Sequence, residues 1–356
     1  MMAMGRLSIL NEVSVVARPA NNLPRRVVQH QHRTPTPLQG QRAHVLVHPS
    51  RPFCSSNVNM STNKDWDAAQ YLKFERERTR PALDLLGQVP LTLTRPPERV
   101  FDLGCGPGNS TAVLVDRFPD AHIVGIDSSP DMLEKARKRR LPGRVEFRLG
   151  DVSDVRSLFE DKDKDEDTDA SALGSTSASA SASASADLLF SNAVYHWLPH
   201  EKRLEIFAEM IKTLKPGGVF AFQSPDNTSQ PSHVAMRTVA EDEKGPWHQT
   251  LKRLGLLGRP RLPFQSPEEI YNSLKPLCSD INIWHTFYYH ILDDHKAIVE
   301  WVKSTGLRPY IDPLDNEQRE AYLNAYLERI QRLYPTLEDG RVCLPYPRLF
   351  VVAVRA

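Results

Sequence analysis

The chain has 356 residues, with 45 basic and 44 acidic side chains and a net charge of +1, enough for two average domains or one large one with insertions. That balance hides an asymmetry: residues 1–60 hold seven arginines, no lysine and one acid, Glu12, which leaves 38 basic and 43 acidic residues in a mildly acidic body. Such a body argues against nucleic acid as a partner; no apolar run is long enough for a bilayer, and four cysteines without paired spacing (Cys54, Cys105, Cys278, Cys343) suggest neither disulfides nor zinc.

Residues 1–60 read as a disordered extension rich in Arg, Pro, Gln and His. Arginine-rich, acid-poor N-termini have the composition of mitochondrial transit peptides, and Arg51 to Ser55 looks like a matrix-peptidase cleavage context. That reading places the protein in the mitochondrial matrix. The alternative is a plain extension ahead of a start at Met60, with a cytoplasmic protein. Four histidines there (His30, His32, His44, His48) have no cysteine or acid partners, so no metal site is expected.

The globular part, 61–356, opens with Trp66, Tyr71 and Phe74 among charged residues. Arg76, Arg78 and Arg80 then lead into a helix with Pro81 in its first turn and Leu83 with Leu86 as its buried stripe. This helix precedes the glycine-rich strand, so its start is placed to close over a ligand.

Val100, Phe101 and Leu103 form a strand that ends in Gly104, Gly106 and Gly108, and a helical pattern follows over 111–118. Strand, glycine turn and helix N-terminus bring backbone N–H groups up to a polar ligand, and a Cβ in the turn would block the approach. A second strand ends at Asp127, where a carboxylate can accept both hydroxyls of a ribose. A dinucleotide fingerprint would put a third glycine where Asn109 stands. Asp102 at the end of the first strand would repel a pyrophosphate but suits the ammonium of an amino-acid moiety. Acid-x-Gly-x-Gly-x-Gly followed by a ribose acid resembles motif I and the next acidic loop of the class I S-adenosylmethionine-dependent methyltransferases.

A helix over 131–140 begins at Ser128, Ser129 and Pro130, as cap and first-turn proline. A third strand over 145–149 is followed by Asp151, which either bonds an adenine amino group or caps a turn. Residues 160–186 combine a charge run with a Ser-Ala alternation, and read as a disordered insertion. The fourth strand, 187–191, delivers Asn192, Tyr195, His196 and Trp197 to its carboxyl end, where ligands bind in open α/β sheets. His196 is either a satisfied structural group or a base. A helix carrying Leu204, Phe207, Ile211 and Leu214 ends at Lys215 to Gly218, and 219–223 is the fifth strand. From 225 to 309 the alternation loosens into aromatics and helical pieces (232–243, 267–274, 295–304), read as a cap enclosing a small substrate. A helix over 316–334 buries Leu323, Tyr326, Ile330 and Leu333, and 348–354 is a last strand expected to pair antiparallel.

Beyond the glycine loop, the stretches around Tyr71–Phe74 and Arg78–Ala82, His196 to Pro199, Pro225 to Asn227, Pro231 to Arg237, Trp301 to Pro309 and Tyr346 to Val351 resemble the trans-aconitate methyltransferases. The resemblance runs from about residue 64 onward. It implies an α/β fold, a Rossmann-like seven-stranded mostly parallel sheet with an antiparallel last strand and an inserted, mainly helical cap. It also implies methyl transfer from S-adenosylmethionine to one carboxylate of trans-aconitate or a similar small polycarboxylate. A monomer is expected, and charge and apolar-run length point to no nucleic-acid or membrane partner. Cofactor residues are then Asp102, Gly104, Gly106, Gly108, Asn109, Asp127, Asp151 and Asn192. The extension, the insertion, and Tyr195-His196, where bacterial relatives look like Leu-Gln, depart from the family pattern.

A carboxylate is ionised at neutral pH, so it needs no general base, only alignment and exclusion of water. A tri-anion needs counter-charges, for which arginine's fork is best matched. Arg78, Arg80, Arg308 and Arg348 are the candidates, with His233, Tyr288, Tyr289 and His290 as donors; each arginine has a surface ion pair as its alternative role. Rival functions are a catalytically silent scaffold of the same fold, a methyltransferase for another small acid, and an NAD-dependent oxidoreductase, which Asn109 and Asp102 disfavour.

Overall fold

The computed structural model describes residues 73–90, 96–159, 186–258 and 262–356. The extension predicted over 1–60, Trp66, Tyr71 and nearly all of the insertion predicted over 160–186 lie outside the described residues.

Short strands with apolar residues at consecutive positions are what a parallel sheet buried on both faces requires. Five strands run parallel: β1 (Arg99–Leu103), β2 (His122–Asp127), β4 (Ala186–Asn192) and β5 (Leu214–Pro225) have such runs, while β3 (Arg144–Leu149) lies at the sheet's edge and alternates apolar with charged residues. β7 (Val342–Arg355) pairs antiparallel with β5, and β6 (Cys278–Leu292) pairs antiparallel with β7. The order is β3-β2-β1-β4-β5-β7-β6. The chain therefore leaves β1 on one side and returns on the other as β4, which makes the gap between their carboxyl ends the ligand position.

Alternation along each strand feeds two cores. In β5, Val219 and Ala221 join one cluster with α1 (Glu75–Leu86), α2 (Asn109–Arg117), α6 (Pro231–Ala240), α9 (His295–Lys303) and α11 (Asn316–Leu333). Phe220 and Phe222 face the other, with α4 (Val155–Phe159), α5 (Arg203–Thr213) and α8 (Pro267–Leu274). The caps follow chemistry visible in the sequence. Ser129 Oγ accepts from Met132 N–H at the start of α3 (Pro130–Lys138), and Ser266 with Glu269 forms a capping box on α8.

Three expectations change. Leu83 is exposed, and Ala82, Leu85 and Leu86 make the buried stripe of α1, because the helix begins at Glu75 and its face is set from there. On α11, Leu333 is exposed and Tyr322 takes its place with Tyr326 and Ile330. The stretch 225–309 is not all cap: β6 lies within it, as an edge strand of 15 residues. It has one strand neighbour, and its two faces differ: Tyr288, His290 and Leu292 are buried on one while Phe287, Tyr289 and Ile291 are exposed on the other, so it reads as a polar-apolar mixture in the sequence.

Candidate active site

The three glycines of the β1–α2 turn have positive φ for three different reasons. At Gly104 a Cβ would stand 2.2 Å from Val194 Cγ2, so this glycine lets the β4 loop pack against the turn. Gly108 is the left-handed N-cap of α2. At Gly106 a Cβ would meet nothing within 4 Å, and Gly106 lines a cavity of about 370 Å³. That volume is in the range of small-molecule sites.

One end of the cavity is acidic. Asp127, at the carboxyl end of β2, accepts the N–H groups of Gly106 (2.8 Å) and Ser129 (2.9 Å), which fixes its carboxylate beside the glycine turn. Asp151 lines the same end with Met132, Gly150 and Val152, and its Oδ1 accepts from Ser153 N–H at 2.8 Å. It therefore faces the cavity and also caps its turn. A nucleoside carrying hydroxyls and positive charge fits this end: fixed carboxylates, an apolar wall, and a backbone kept clear by Gly106.

The other end is cationic. Arg78 on α1 and Arg348 on β7 both line the cavity and are 6% and 4% exposed. Arg78 Nη2 donates to the Trp301 carbonyl (3.1 Å) and Ser304 Oγ (3.4 Å), and its guanidinium lies over the Trp301 ring. Arg348 Nη1 donates to Gln223 Oε1 (3.0 Å), and its guanidinium lies over Tyr346. Thr305, Tyr346 and Pro225 complete this wall.

Between the ends runs 192–198, and all of it but Tyr195 lines the cavity. Ala193 has φ 65°, an unfavourable value for a residue with a Cβ, and its N–H is held by the Gln223 carbonyl at 2.9 Å. Two anchors impose that conformation. Tyr195 is fully buried and packs edge-on against Phe207, Phe220 and Phe222. Arg203, 3% exposed, donates to the carbonyls of Leu198 (3.0 Å) and His196 (3.3 Å). Tyr195 is thus a core residue under the site, while His196 and Trp197 are in its wall.

The structure brings Arg78, Gly104, Gly106, Asp127, Asp151, Asn192, His196 and Arg348 to one cavity. Other predicted residues do not line it. Asp102 is fully buried beneath the turn, where its Oδ2 accepts the hydroxyls of Ser110 (2.8 Å) and Thr111 (2.6 Å); it organises the loop and offers no direct contact to an ammonium. Burial pushes its carboxyl up to about 6, with the two hydroxyls opposing. Gly108 serves the helix N-terminus, and Asn109 donates to Glu75 and Thr79, tying α2 to α1.

Arg80 is turned outward to Asp84, and Arg308 Nε donates to Asp312 at 3.0 Å. Tyr288 gives its hydroxyl to Asp84 at 2.6 Å, and Tyr289 is 65% exposed on the edge strand. His233 packs beside Ser232 (3.2 Å) and Tyr346. His290 is buried between Trp301 and Tyr346, where burial and then Arg348, Arg78 and Arg80 hold its imidazole down to about 4. Sequence reasoning missed Gln223 and Arg203: Gln223 carries the signal of a polar residue closing an apolar strand, whereas Arg203 sits among His200, Glu201, Lys202 and Glu205 and carries none.

A family model described as a methyltransferase domain matches residues 95–275. Curated relatives agree over most of the chain. The trans-aconitate 2-methyltransferase of Rhodopseudomonas palustris strain BisB18 is 47% identical over 293 residues, covering 82% of this chain and 99% of that protein. The enzyme of the same name from Rhizobium rhizogenes is 44% identical, covering 82% and 99%, as is that of Agrobacterium fabrum at 44%, 82% and 99%.

Proposed function

The chain belongs to the trans-aconitate 2-methyltransferase family, and we propose on that footing that it moves the methyl group of S-adenosylmethionine onto one carboxylate of trans-aconitate, leaving a monomethyl ester. The observation that carries the reading is the cavity's polarity: two buried arginines, Arg78 and Arg348, stand across from the carboxylate end formed by Asp127 and Asp151. Burying a polycarboxylate without cations would cost more than its binding returns.

Bound S-adenosylmethionine supplies an electrophilic methyl on a sulfonium. Asp127 is placed to accept ribose hydroxyls, Asp151 lies on the same side, and Met132 and Val152 give an apolar surface for a base. Arg78 and Arg348 hold the carboxylates that do not react and so orient the one that does. Val194, Trp197, Leu198 and Tyr346 keep water from the reacting atoms. His196 stands in the wall, but a carboxylate needs no proton removed, so catalysis here is alignment and desolvation.

Incubation with methyl-labelled S-adenosylmethionine and trans-aconitate, read by mass spectrometry, tests this. A labelled monomethyl ester is expected. Cofactor binding without label on trans-aconitate would refute the substrate assignment, and label on another small acid would replace it.

A further inference from the structure

Gln223 ends the apolar run of β5 and is 0% exposed. A buried amide needs partners for both its ends. Arg348 Nη1 donates to Gln223 Oε1 at 3.0 Å, and Gln223 Nε2 donates to Asn192 Oδ1 at 2.5 Å. The direction of this chain of bonds is forced by chemistry. A guanidinium has donors and no acceptor, so Gln223 must turn its oxygen to Arg348 and its NH₂ away. That NH₂ needs an acceptor, so Asn192 must turn its oxygen to Gln223 and its own NH₂ away in turn. Asn192 Nδ2 reaches the Arg78 carbonyl at 3.5 Å, the outer limit of such a bond, and Asn192 lines the cavity.

We propose that Gln223 is a positioning residue that locks the Asn192 amide with its NH₂ toward the Arg78 side of the cavity, as a neutral donor for a carboxylate oxygen. The proposal rests on the methyl-transfer reading above and adds a specificity element to it. Two guanidiniums attract any anion, but a fixed amide donor beside them selects where a carboxylate oxygen sits. The reversed amide would present a carbonyl oxygen to that anion instead. The carboxylate belongs either to trans-aconitate or to the methionyl part of S-adenosylmethionine.

Gln223→Glu tests the relay, because it keeps the shape and still accepts from Arg348 but has no donor for Asn192. The Asn192 amide then turns, gives its NH₂ to the new carboxylate and shows its oxygen to the cavity. We expect a ten- to hundredfold rise in the KM for trans-aconitate if its carboxylate is held there, or in the Kd for S-adenosylhomocysteine by calorimetry if the methionyl carboxylate is. The melting temperature should stay within a few degrees in both cases. The variant also adds charge near Arg348, so it is repeated in an Asn192→Leu background, which has no amide to turn; there the penalty should shrink about tenfold. An equal penalty in both backgrounds, or no change in either constant, overturns the proposal. If Gln223→Glu does not fold, Gln223→Met releases the amide without adding charge and should raise the same constant about tenfold; unchanged constants overturn the proposal there too. Failure of the unsubstituted protein to methylate trans-aconitate would sink the function alone, and the relay would then stand or fall on the cofactor Kd.

Discussion

The two ends of the cavity are built by different means. The acidic end is local: one turn, its glycines and two strand-end acids lie within 104–151, and backbone N–H groups fix Asp127. The cationic end is assembled from Arg78, Asn192, Thr305, Tyr346 and Arg348, which meet only when α1, β4, the segment after α9, and β7 are packed. A turn can be carried by its own sequence, whereas a wall of distant side chains depends on the core beneath it. Mutations in the core beneath the second end should therefore damage folding and substrate recognition together, whereas substitutions of the lining residues themselves separate the two.

The largest expected effect comes from the support under the β4 loop. Tyr195→Ala should cost about 3–5 kcal/mol of stability by emptying an aromatic cluster, whereas Tyr195→Phe should leave kcat within about twofold. Chemical denaturation with steady-state assays checks both, and a large kcat loss in the phenylalanine variant would make Tyr195 part of the chemistry. Next, Arg348→Ala should lower kcat/KM for trans-aconitate about a thousandfold with cofactor affinity little changed. Arg308→Ala, a residue paired with Asp312 outside the cavity, should stay within about twofold, and the reverse ranking would mean the cavity's wall has been misassigned.

The buried groups behind the two ends also differ in how pH acts on them. Asp102 holds its proton up to about pH 6 against an ordinary 3.8, so the folded state binds more protons in that window and stability falls as pH rises through it. His290 is held down to about 4 against 6.5, so the unfolded state binds more protons and stability falls as pH drops through that window. The slopes oppose each other. Asp102→Asn should leave stability rising with pH between about 4 and 6, and His290→Gln should leave it falling, each by on the order of 2–3 kcal/mol. Denaturant midpoints across that range decide it, and two variants with the same slope would contradict the assignment.

Asp127→Ala should weaken S-adenosylmethionine binding by about 2 kcal/mol, roughly thirtyfold, with folding preserved. Calorimetry showing unchanged affinity would remove Asp127 from the cofactor's site. Smallest of all, kcat should be flat from about pH 6.5 to 8.5, since the nucleophile is already ionised. A rise through pH 7 in rapid-mixing assays would give His196 a proton to carry.

This contrast also governs what could be read from the sequence. The glycine turn, Asp127 and Asp151 were legible because backbone chemistry at a turn is local. The central parallel strands were legible because burial on both faces writes continuous apolar runs, and β3, at the sheet's edge, because it alternates Val145, Phe147 and Leu149 with charged residues. β6 was not, because an edge strand exposing Phe287, Tyr289 and Ile291 has neither a clean alternation nor a continuous run. Of four candidate arginines, Arg80 and Arg308 each have an aspartate four residues on, Asp84 and Asp312, on the same helical face, and that is where they point. Arg78, on the same helix as Arg80, has Ala82 there instead. That spacing was in the sequence and separates Arg78 from the surface pairs; for Arg348, on a strand, residues four apart are not neighbours and the spacing says nothing. The charge of Asp102 suits an ammonium, but position at a strand's end does not say which way a carboxylate turns; Ser110 and Thr111, in the first turn of α2, are the hydroxyls it accepts from.

The position of β7 sets the order in which the molecule can be completed. β7 follows β6 in the chain but sits between β5 and β6 in the sheet, so β6 lacks its native neighbour until β7 has been synthesised and docked. The same strand brings Tyr346 and Arg348. A chain emerging from the ribosome can thus form its glycine turn early, yet it holds a bare sheet edge and a half-built cavity until its final strand arrives. A nascent chain arrested before Val342 would carry the residues of the acidic end and Arg78 but lack Arg348, the second of the two cavity guanidiniums.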